Sequence, residues 1–583
     1  MINIKEDEKL NILNHSCAHL LAHAVKHLYP NAKFWVGPVI EDGFYYDIDL
    51  GDETLQDGDL EKIEKEMKKI SKSNKLIKRI ELTKQEALDM FKDDPYKIDL
   101  INNMSADEVI SAYKQDDFTD LCRGPHKNST KDMKYFKLLK FSGAYYKGDS
   151  KNKMLQRIYG ICFENEKDLN DYLNYLEELK QRDHRKIGKD LDIFMTHELV
   201  GSGLPLYLPN GAFIFHKLEE YIREKEEKMG YQHVYTPVLA TSNLYKISGH
   251  WDHYRDDMFP LMEREGEEFV LRPMNCPHHM LVYKNELHSY KDLPIRIGEL
   301  AHDFRFEASG AVCGIERVRT FCQNDAHLFV RPDQIEEEFG KVVNLILDVY
   351  KDFNITPTSF RLSLRDKNNK EKYFDDDKMW EKAENTLRKV LKDLNIDFVE
   401  AEGEAAFYGP KLDVQVKSAI GHELTLSTCQ LDFLLPERFD LTYIDTDRFK
   451  RRPVVLHRAI LGSIDRFFAY LLENTKGALP AWLSKVQVNI LPVNNKYHSD
   501  YANYVKKRLE ENNIRATVDD REEKLGYRMR EAVTKKIPYT LVLGDNEKAE
   551  EKVTYRKYGQ EEKVTASLED FIKYMLDIIN NKK

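Results

Sequence analysis

His15 and His19 stand four residues apart in HSCAH, and Cys122 and His126 stand four apart in CRGPH. Side chains at i and i+4 of a helix share one face, and a Gly-Pro turn lets the cysteine and histidine around it converge on one point. Two such pairs meeting would make either a zinc tetrad or a metal-free acid/base pocket. The plainer alternative is a histidine-rich helix surface, because His23 and His27 continue the series. In RPMNCPHH, the prolines around Cys276 fix a loop that aims its thiol inward, although such a cysteine alone is more often a small buried hydrophobe than a ligand. In FRFEASG, Arg305 and Glu307 are two apart, so on a strand they face one side and reach one ligand; a surface ion pair is the ordinary alternative. In HRAILGSIDRFFAYLLE, Gly462 within a helix costs about 1 kcal/mol relative to Ala, which points to a close approach there, with Arg466 one turn on.

These residues need elements to hold them. Leu13, Ala18, Leu20, Leu21, Ala24, Val25 and Leu28 recur at helical spacing up to Pro30. FWVGPVI and GFYYDID follow as strands, with Gly37, Pro38 and Gly43 as turn residues, so residues 1–166 read as an α+β domain. Between 167 and 189, Leu169, Tyr172, Leu173, Leu176 and Leu179 form an apolar stripe among charges, which predicts a solvated linking helix at a domain boundary. Residues 190–483 alternate strand candidates such as QHVYTPVL, EFVLRPM, LDVQVKSA and HELTLSTCQLDF with amphipathic helices such as AFIFHKLEEYIREKEEKMG. That pattern predicts an antiparallel sheet flanked by helices. Residues 484–583 spell βαβαββα with parallel crossovers, and no Gly-rich phosphate loop follows the first strand.

A chain of 583 residues holds several domains, and 42% hydrophobic with 32% charged residues describes folded, enzyme-sized material rather than a disordered or fibrous chain. The first residues carry no apolar signal region, and no stretch approaches the roughly 18 to 20 apolar residues of a membrane span, so a cytoplasmic location without a membrane partner is expected. Seven cysteines spread over the chain do not resemble a disulfide framework. The net charge of −11 argues against a protein that coats nucleic acid non-specifically, while the slight excess of Lys and Arg after Val486 suits contact with RNA.

In chain order the sequence presents HSCAH, GPVIEDGFYYD, DLCRGPH, SGAYYKGDSKNKMLQRIYG, KMGYQHVYTP, RPMNCPHH, FRFE, RVRTF, DAHLF, AFYGPK, QLDF and HRAILGSIDRF. Each is weak alone, but together and in this order they resemble bacterial-type threonyl-tRNA synthetases of class II over essentially the whole chain. The resemblance implies an α+β multidomain enzyme. It would have an N-terminal α+β editing domain (1–166), a linker helix (167–189), a class II antiparallel sheet flanked by helices (190–483) and a C-terminal α/β anticodon-binding domain (484–583). It implies a homodimer through the segment ending at Pro237, and the ubiquitin-like module that often precedes the editing domain is expected to be absent. The implied reaction joins L-threonine to ATP, with Mg2+, and then to threonine tRNA.

The same resemblance implies residue roles. Arg305 and Arg466 correspond to the arginines that meet phosphoryl charge, where a planar, always-charged fork is suited to the task. Met274, Glu307, Arg317, Phe321 and Lys411 complete the ATP positions. Cys276, His327 and His457 correspond to three zinc ligands with an open position, and Gln323, Asp325, Tyr408, Thr428 and Gln430 to the threonine pocket around the ion. An apolar pocket rejects valine poorly, whereas a metal asks for the threonine hydroxyl; serine lacks only a methyl, worth about 1 to 3 kcal/mol, so a second site must hydrolyse seryl-tRNA. The implied editing residues are His15, His19, Lys97, Asp120, Cys122 and His126, in acid/base work rather than as metal ligands. The chain departs from the family at Asn324, where an acid is usual, at Thr425, where a glutamine is usual, and in FRFEASGAVCG. These departures predict a remodelled pocket less sensitive to active-site inhibitors. The competing readings are a catalytically silent RNA-binding regulator, which loss of Arg305, Arg466 or a presumed ligand would favour, and a deacylase using the first domain alone.

Overall fold

A computed structural model describes residues 3–56, 58–105, 109–373 and 376–582, and the chain divides into two compact units, Met1–Glu178 and Leu179–Lys583. In the first, helix Glu8–Leu28 starts at Asp7, whose carboxylate accepts from Leu10 N, and ends before Pro30. Its buried Leu13, Cys17, Leu20, Leu21, Ala24 and Val25 pack on an antiparallel sheet ordered Lys33–Phe34, Gly43–Asp49, Met154–Phe163 and Tyr135–Tyr145. Rotation of the helix is fixed by Asn14, whose buried amide donates to Cys162 O and accepts from Cys162 N, both at 2.9 Å. That bond pair orients the face carrying His15 and His19. A second sheet, Ile77–Leu82, Ile110–Gln115 and Phe118–Leu121, ends in the segment that holds Cys122 and His126.

The expected single linking helix is two helices, Glu166–Arg182 and His184–Asp190. Asp183 breaks the run: it leaves helical geometry and its carboxylate caps Arg185 N at 2.8 Å.

The second unit is built on eight strands in the order Gln232–His233, Ile295–Phe304, Thr320–Val330, Val454–Ser463, Glu423–Asp432, Lys411–Lys417, Ser359–Leu364 and Phe398–Glu402. The interior pairs are antiparallel, and the pair at each edge is parallel. Alternation places Cys322, Ala326, Leu328 and Val330 in the core beneath helices Ile335–Asp352 and Ile464–Thr475. The opposite face is left for Gln323, Asp325 and His327.

The tail forms a sheet ordered Ala516–Val518, Val488–Pro492, Tyr539–Leu543, Lys552–Lys557 and Val564–Ser567, with the first three strands parallel. It contains one strand (Val564–Ser567) and one short helix (Asp545–Glu550) more than the predicted βαβαββα. Both are too short for periodicity to reveal. Among the described residues, no helix is long and apolar enough to cross a membrane.

Candidate active site and its companion pocket

The open face of the large sheet floors a cavity of about 510 Å³. Strand register sets its rows. His327, His457, Gln430 and Lys411 are direct partners across four adjacent strands, and Asp325, Ala459, Thr428 and Asp413 form the next row. Side chains on the cavity side are then joined by hydrogen bonds. Lys411 Nζ lies 2.8 Å from Asp413, Thr428 donates to Asp413 at 3.1 Å, and the Gln430 amide donates to Thr428 at 3.4 Å while accepting from the Tyr408 hydroxyl.

Cys276 comes from outside the sheet. It is the first residue of helix Cys276–Lys284, not part of the expected loop, because Pro277 sits where a helix has no use for an N–H. The donor atoms of Cys276, His327 and His457 all lie within 4.8 Å of one another. His457 Nε2 is held by Asp432 at 2.7 Å, and His327 Nδ1 is 2.8 Å from His279 Nδ1, whose Nε2 is 3.1 Å from Glu299. This leaves His457 Nδ1 and His327 Nε2 buried without a hydrogen-bond partner. Burial, then His457 and His279, hold His327 well below the usual imidazole pKa, so its ring is neutral. Burial and the carboxylates of Asp325, Asp303 and Asp432 push the Cys276 thiol up. Two rings with unpartnered buried nitrogens beside a thiol encircled by carboxylates are a donor set that a divalent ion satisfies, since coordination deprotonates a thiol. The residues fit zinc.

Arg305, Glu307, Arg317, Phe321, Met274 and Arg466 line the same cavity. Arg305 and Glu307 are not on a strand: the strand stops at Phe304, and Glu307 N donates to Arg305 O at 2.8 Å in a tight turn. The ion pair is Glu307 with Arg317, at 2.9 Å, while the Arg305 guanidinium lies over the Phe321 ring, 5.0 Å from its centroid. Arg466 Nε donates to Glu316 O at 3.2 Å, and its backbone N–H is capped by Ser463. Gly462 closes strand Val454–Ser463 rather than lying in the helix, with φ +63° and the Leu426 carbonyl 2.3 Å from where a Cβ would stand. The close approach was legible; the element was not.

Asn324 does not face the cavity. Its Oδ1 accepts from Ile460 N and Leu461 N at 3.3 Å, and its Nδ2 donates to Glu226 at 2.8 Å, filling the irregularity between Gln323 and Asp325 in the strand pairing. Thr425 does line the cavity, bonded to Gln415.

In the first unit the two predicted pairs meet. Cys122 Sγ is 3.2 Å from His15 Nε2 and from His126 Nε2, and His19 Nε2 is 3.7 Å from Asp120. Buried Lys97 binds Asp120 at 2.6 Å and Trp35 O at 3.0 Å. Tyr46 donates to Asp120, and Ser16 lies 3.2 Å from His126 Nδ1. Sequence reasoning missed Tyr46 and Ser16, as it missed Asp432, Glu299 and His279, although all but Glu299 lie within a motif it singled out. Burial lowers His15, and burial with the neighbouring rings drives His19 and His126 well down; burial pushes Cys122 up to about 11. The pocket holds neutral imidazoles and a neutral thiol beside a fixed Lys–Asp pair.

The fold and the large cavity define a class II aminoacyl-tRNA synthetase: the tRNA synthetase class II core domain (G, H, P, S and T) matches residues 259–475, and an anticodon binding domain matches 487–578. The threonyl and alanyl tRNA synthetase second additional domain matches 110–159. The chain is 58% identical over 567 residues to a threonine–tRNA ligase of Geobacillus sp. (strain WCH70), covering 97% of this chain and 88% of that protein. It is 57% identical over 578 residues to that of Staphylococcus epidermidis, covering 99% and 90%. The RNA binding domain of threonyl-tRNA synthetase from Cryptosporidium parvum superposes with a TM-score of 0.65 at 35% identity, over 68% of this chain and 98% of that one. The chain belongs to the family of threonine–tRNA ligases, aminoacyl-tRNA ligases with an editing domain, whose class II core takes ATP with Mg2+.

Proposed function

We propose that threonine activation and transfer to tRNA run in the large cavity, with Cys276, His327 and His457 holding one zinc ion and Arg305 and Arg466 meeting the phosphoryl charge. The observation that carries this reading is the pair of unpartnered ring nitrogens beside the Cys276 thiol, at the wall of the cavity that both arginines line. Bound there, zinc supplies a Lewis-acidic corner for an amine and a β-hydroxyl. The chain's residues do the remaining work. Asp325, Gln323, Tyr408, Thr428 and Gln430 accept and orient threonine around that corner, and the Tyr408–Gln430–Thr428–Asp413 chain fixes their donors in advance.

ATP lies with adenine on Phe321, its amino group towards Glu307, and its phosphates among Arg305, Arg317, Lys411 and Arg466, with Met274 beside it. The threonine carboxylate attacks the α-phosphate, pyrophosphate leaves, and the guanidinium forks hold the charge that spreads over the phosphoryl oxygens.

His15, His19, Lys97, Asp120, Cys122 and His126 position and activate water against seryl-tRNA, the neutral rings offering it hydrogen-bond acceptors. The domain limits, the anticodon-reading tail, the homodimer and the cytoplasmic location are part of the same proposal. Amino-acid-dependent exchange of pyrophosphate into ATP tests it: threonine is expected to support exchange well above serine and valine. Absence of threonine-dependent exchange by the zinc-loaded protein would refute the active-site reading. His19→Ala should leave charging intact and let seryl-tRNA accumulate, and unchanged hydrolysis would remove the editing assignment.

A further inference from the structure

The helix face that carries His15 and His19 continues to His23 and His27, and these rings meet a residue from another element. The hairpin of Ile110–Gln115 and Phe118–Leu121 turns at Asp116 and Asp117, with Asp116 at φ 58°. His23 Nε2 lies 2.8 Å from Asp117 Oδ1 and 3.1 Å from His27 Nε2, and His27 Nε2 lies 3.3 Å from the same Asp117 Oδ1. Ligand atoms on a tetrahedral zinc, at bond lengths of about 2.0 to 2.1 Å, stand about 3.3 Å apart. The three atoms outline one face of that polyhedron.

The far nitrogens are also engaged. His27 Nδ1 is 3.1 Å from Glu66 Oε1, and His23 Nδ1 is 2.9 Å from the Gln115 side-chain amide. A metal-bound imidazole gives its other N–H to a carboxylate or carbonyl. Glu66 accepts it directly. Gln115 accepts it after its amide turns over, an exchange of oxygen and nitrogen positions that leaves the shape unchanged. The Gln115 Oε1 is buried and has no hydrogen-bond partner, in a residue only 2% exposed, and an unmet buried acceptor costs about 1 to 3 kcal/mol. Turning the amide over lets Oε1 accept from His23 Nδ1 and places the ring proton on that nitrogen, with the amide nitrogen then in the unpartnered position. Lone pairs of two imidazoles and a carboxylate then face one point, an arrangement that a divalent cation completes. His27 lies in the last turn of its helix, where the backbone carbonyls add to the attraction.

We propose that His23, His27 and Asp117 form a thiolate-free site for a divalent transition ion of the zinc class. The ion ties the helix bearing His15 and His19 to the hairpin that leads into Asp120 and Cys122. The proposal is independent of the assignments above, because among the described residues the groups built on Cys122 and Cys276 each contain a thiol and this one, like the cluster of His184, Glu316 and Glu473, has none.

Cobalt(II) binding to the full chain, followed by absorption and by metal counting, tests it. His27→Ala and Asp117→Asn should each bind one equivalent fewer than the parent chain, and the lost equivalent should carry ligand-field bands without thiolate charge-transfer absorption. Glu66→Gln should keep the equivalent but hold it roughly 10- to 100-fold more weakly. Equal stoichiometry in parent and variants would overturn the proposal. So would loss of thiolate absorption together with the ion, which would place it at Cys122 or Cys276.

Discussion

His327 and His457 are direct partners on neighbouring antiparallel strands, with ring centroids 4.5 Å apart and planes 80° from parallel. Sheet register, rather than any local motif, therefore brings together two residues far apart in sequence. Each ring is oriented from behind, His457 by Asp432 and His327 through His279 and Glu299.

Asp432→Asn should keep all three donors but remove the carboxylate that fixes the His457 ring. Zinc retention is expected to weaken roughly 10- to 100-fold against a chromophoric chelator. The threonine KM should rise while the ATP KM holds. Unaltered retention would remove the orienting role.

Arg305→Lys and Arg466→Lys keep a cation but lose the planar fork. Each should lower kcat for threonine-dependent exchange by roughly 10² to 10³, the scale of one lost preorganised donor at developing charge, with unfolding temperature unchanged. A loss confined to KM would mean that these groups bind the ground state and the transition state equally.

The histidines of the first unit set its acid stability. Burial lowers the pKa of His15, His19 and His126 in the folded chain, whereas the unfolded chain takes up protons there near pH 6.5. The unfolded state binds more protons, so stability rises with pH; this contribution is present above about pH 6.5 and is lost as pH falls below it. The Tm of this unit should fall between pH 7 and 5, and His126→Gln should reduce that slope. An identical slope would mean that His126 does not titrate on unfolding.

The HSCAH and CRGPH pairing was legible because helical spacing and a Gly-Pro turn are local. The cavity of the second unit was legible only through order and resemblance, since its rows depend on strand register that no short window contains. Alternation also misleads where a strand ends or bulges. Arg305 and Glu307 share the cavity through a turn beyond Phe304, and Asn324, taken as a sign of a remodelled pocket, points the other way.

Asn324→Asp should accordingly leave threonine KM and the potency of pocket-directed inhibitors within about twofold, a surface-scale effect. It should destabilise the fold, because an aspartate cannot donate to Glu226 and sets a second carboxylate against it. A large change in inhibitor potency with stability intact would restore Asn324 to the pocket.

Gly462 joins the strand carrying His457 to the helix carrying Arg466. At φ +63° a side chain is strained, and a Cβ would sit 2.3 Å from the Leu426 carbonyl oxygen, a backbone atom that cannot swing aside. Gly462→Ala should cost about 1 to 3 kcal/mol from the backbone alone, read as a lowered denaturation midpoint. It should also lower exchange activity, because relief of the clash moves Ser463 and with it the cap on Arg466. Wild-type stability and activity together would show that the junction relaxes without cost, and would separate the close approach from the placement of the arginine.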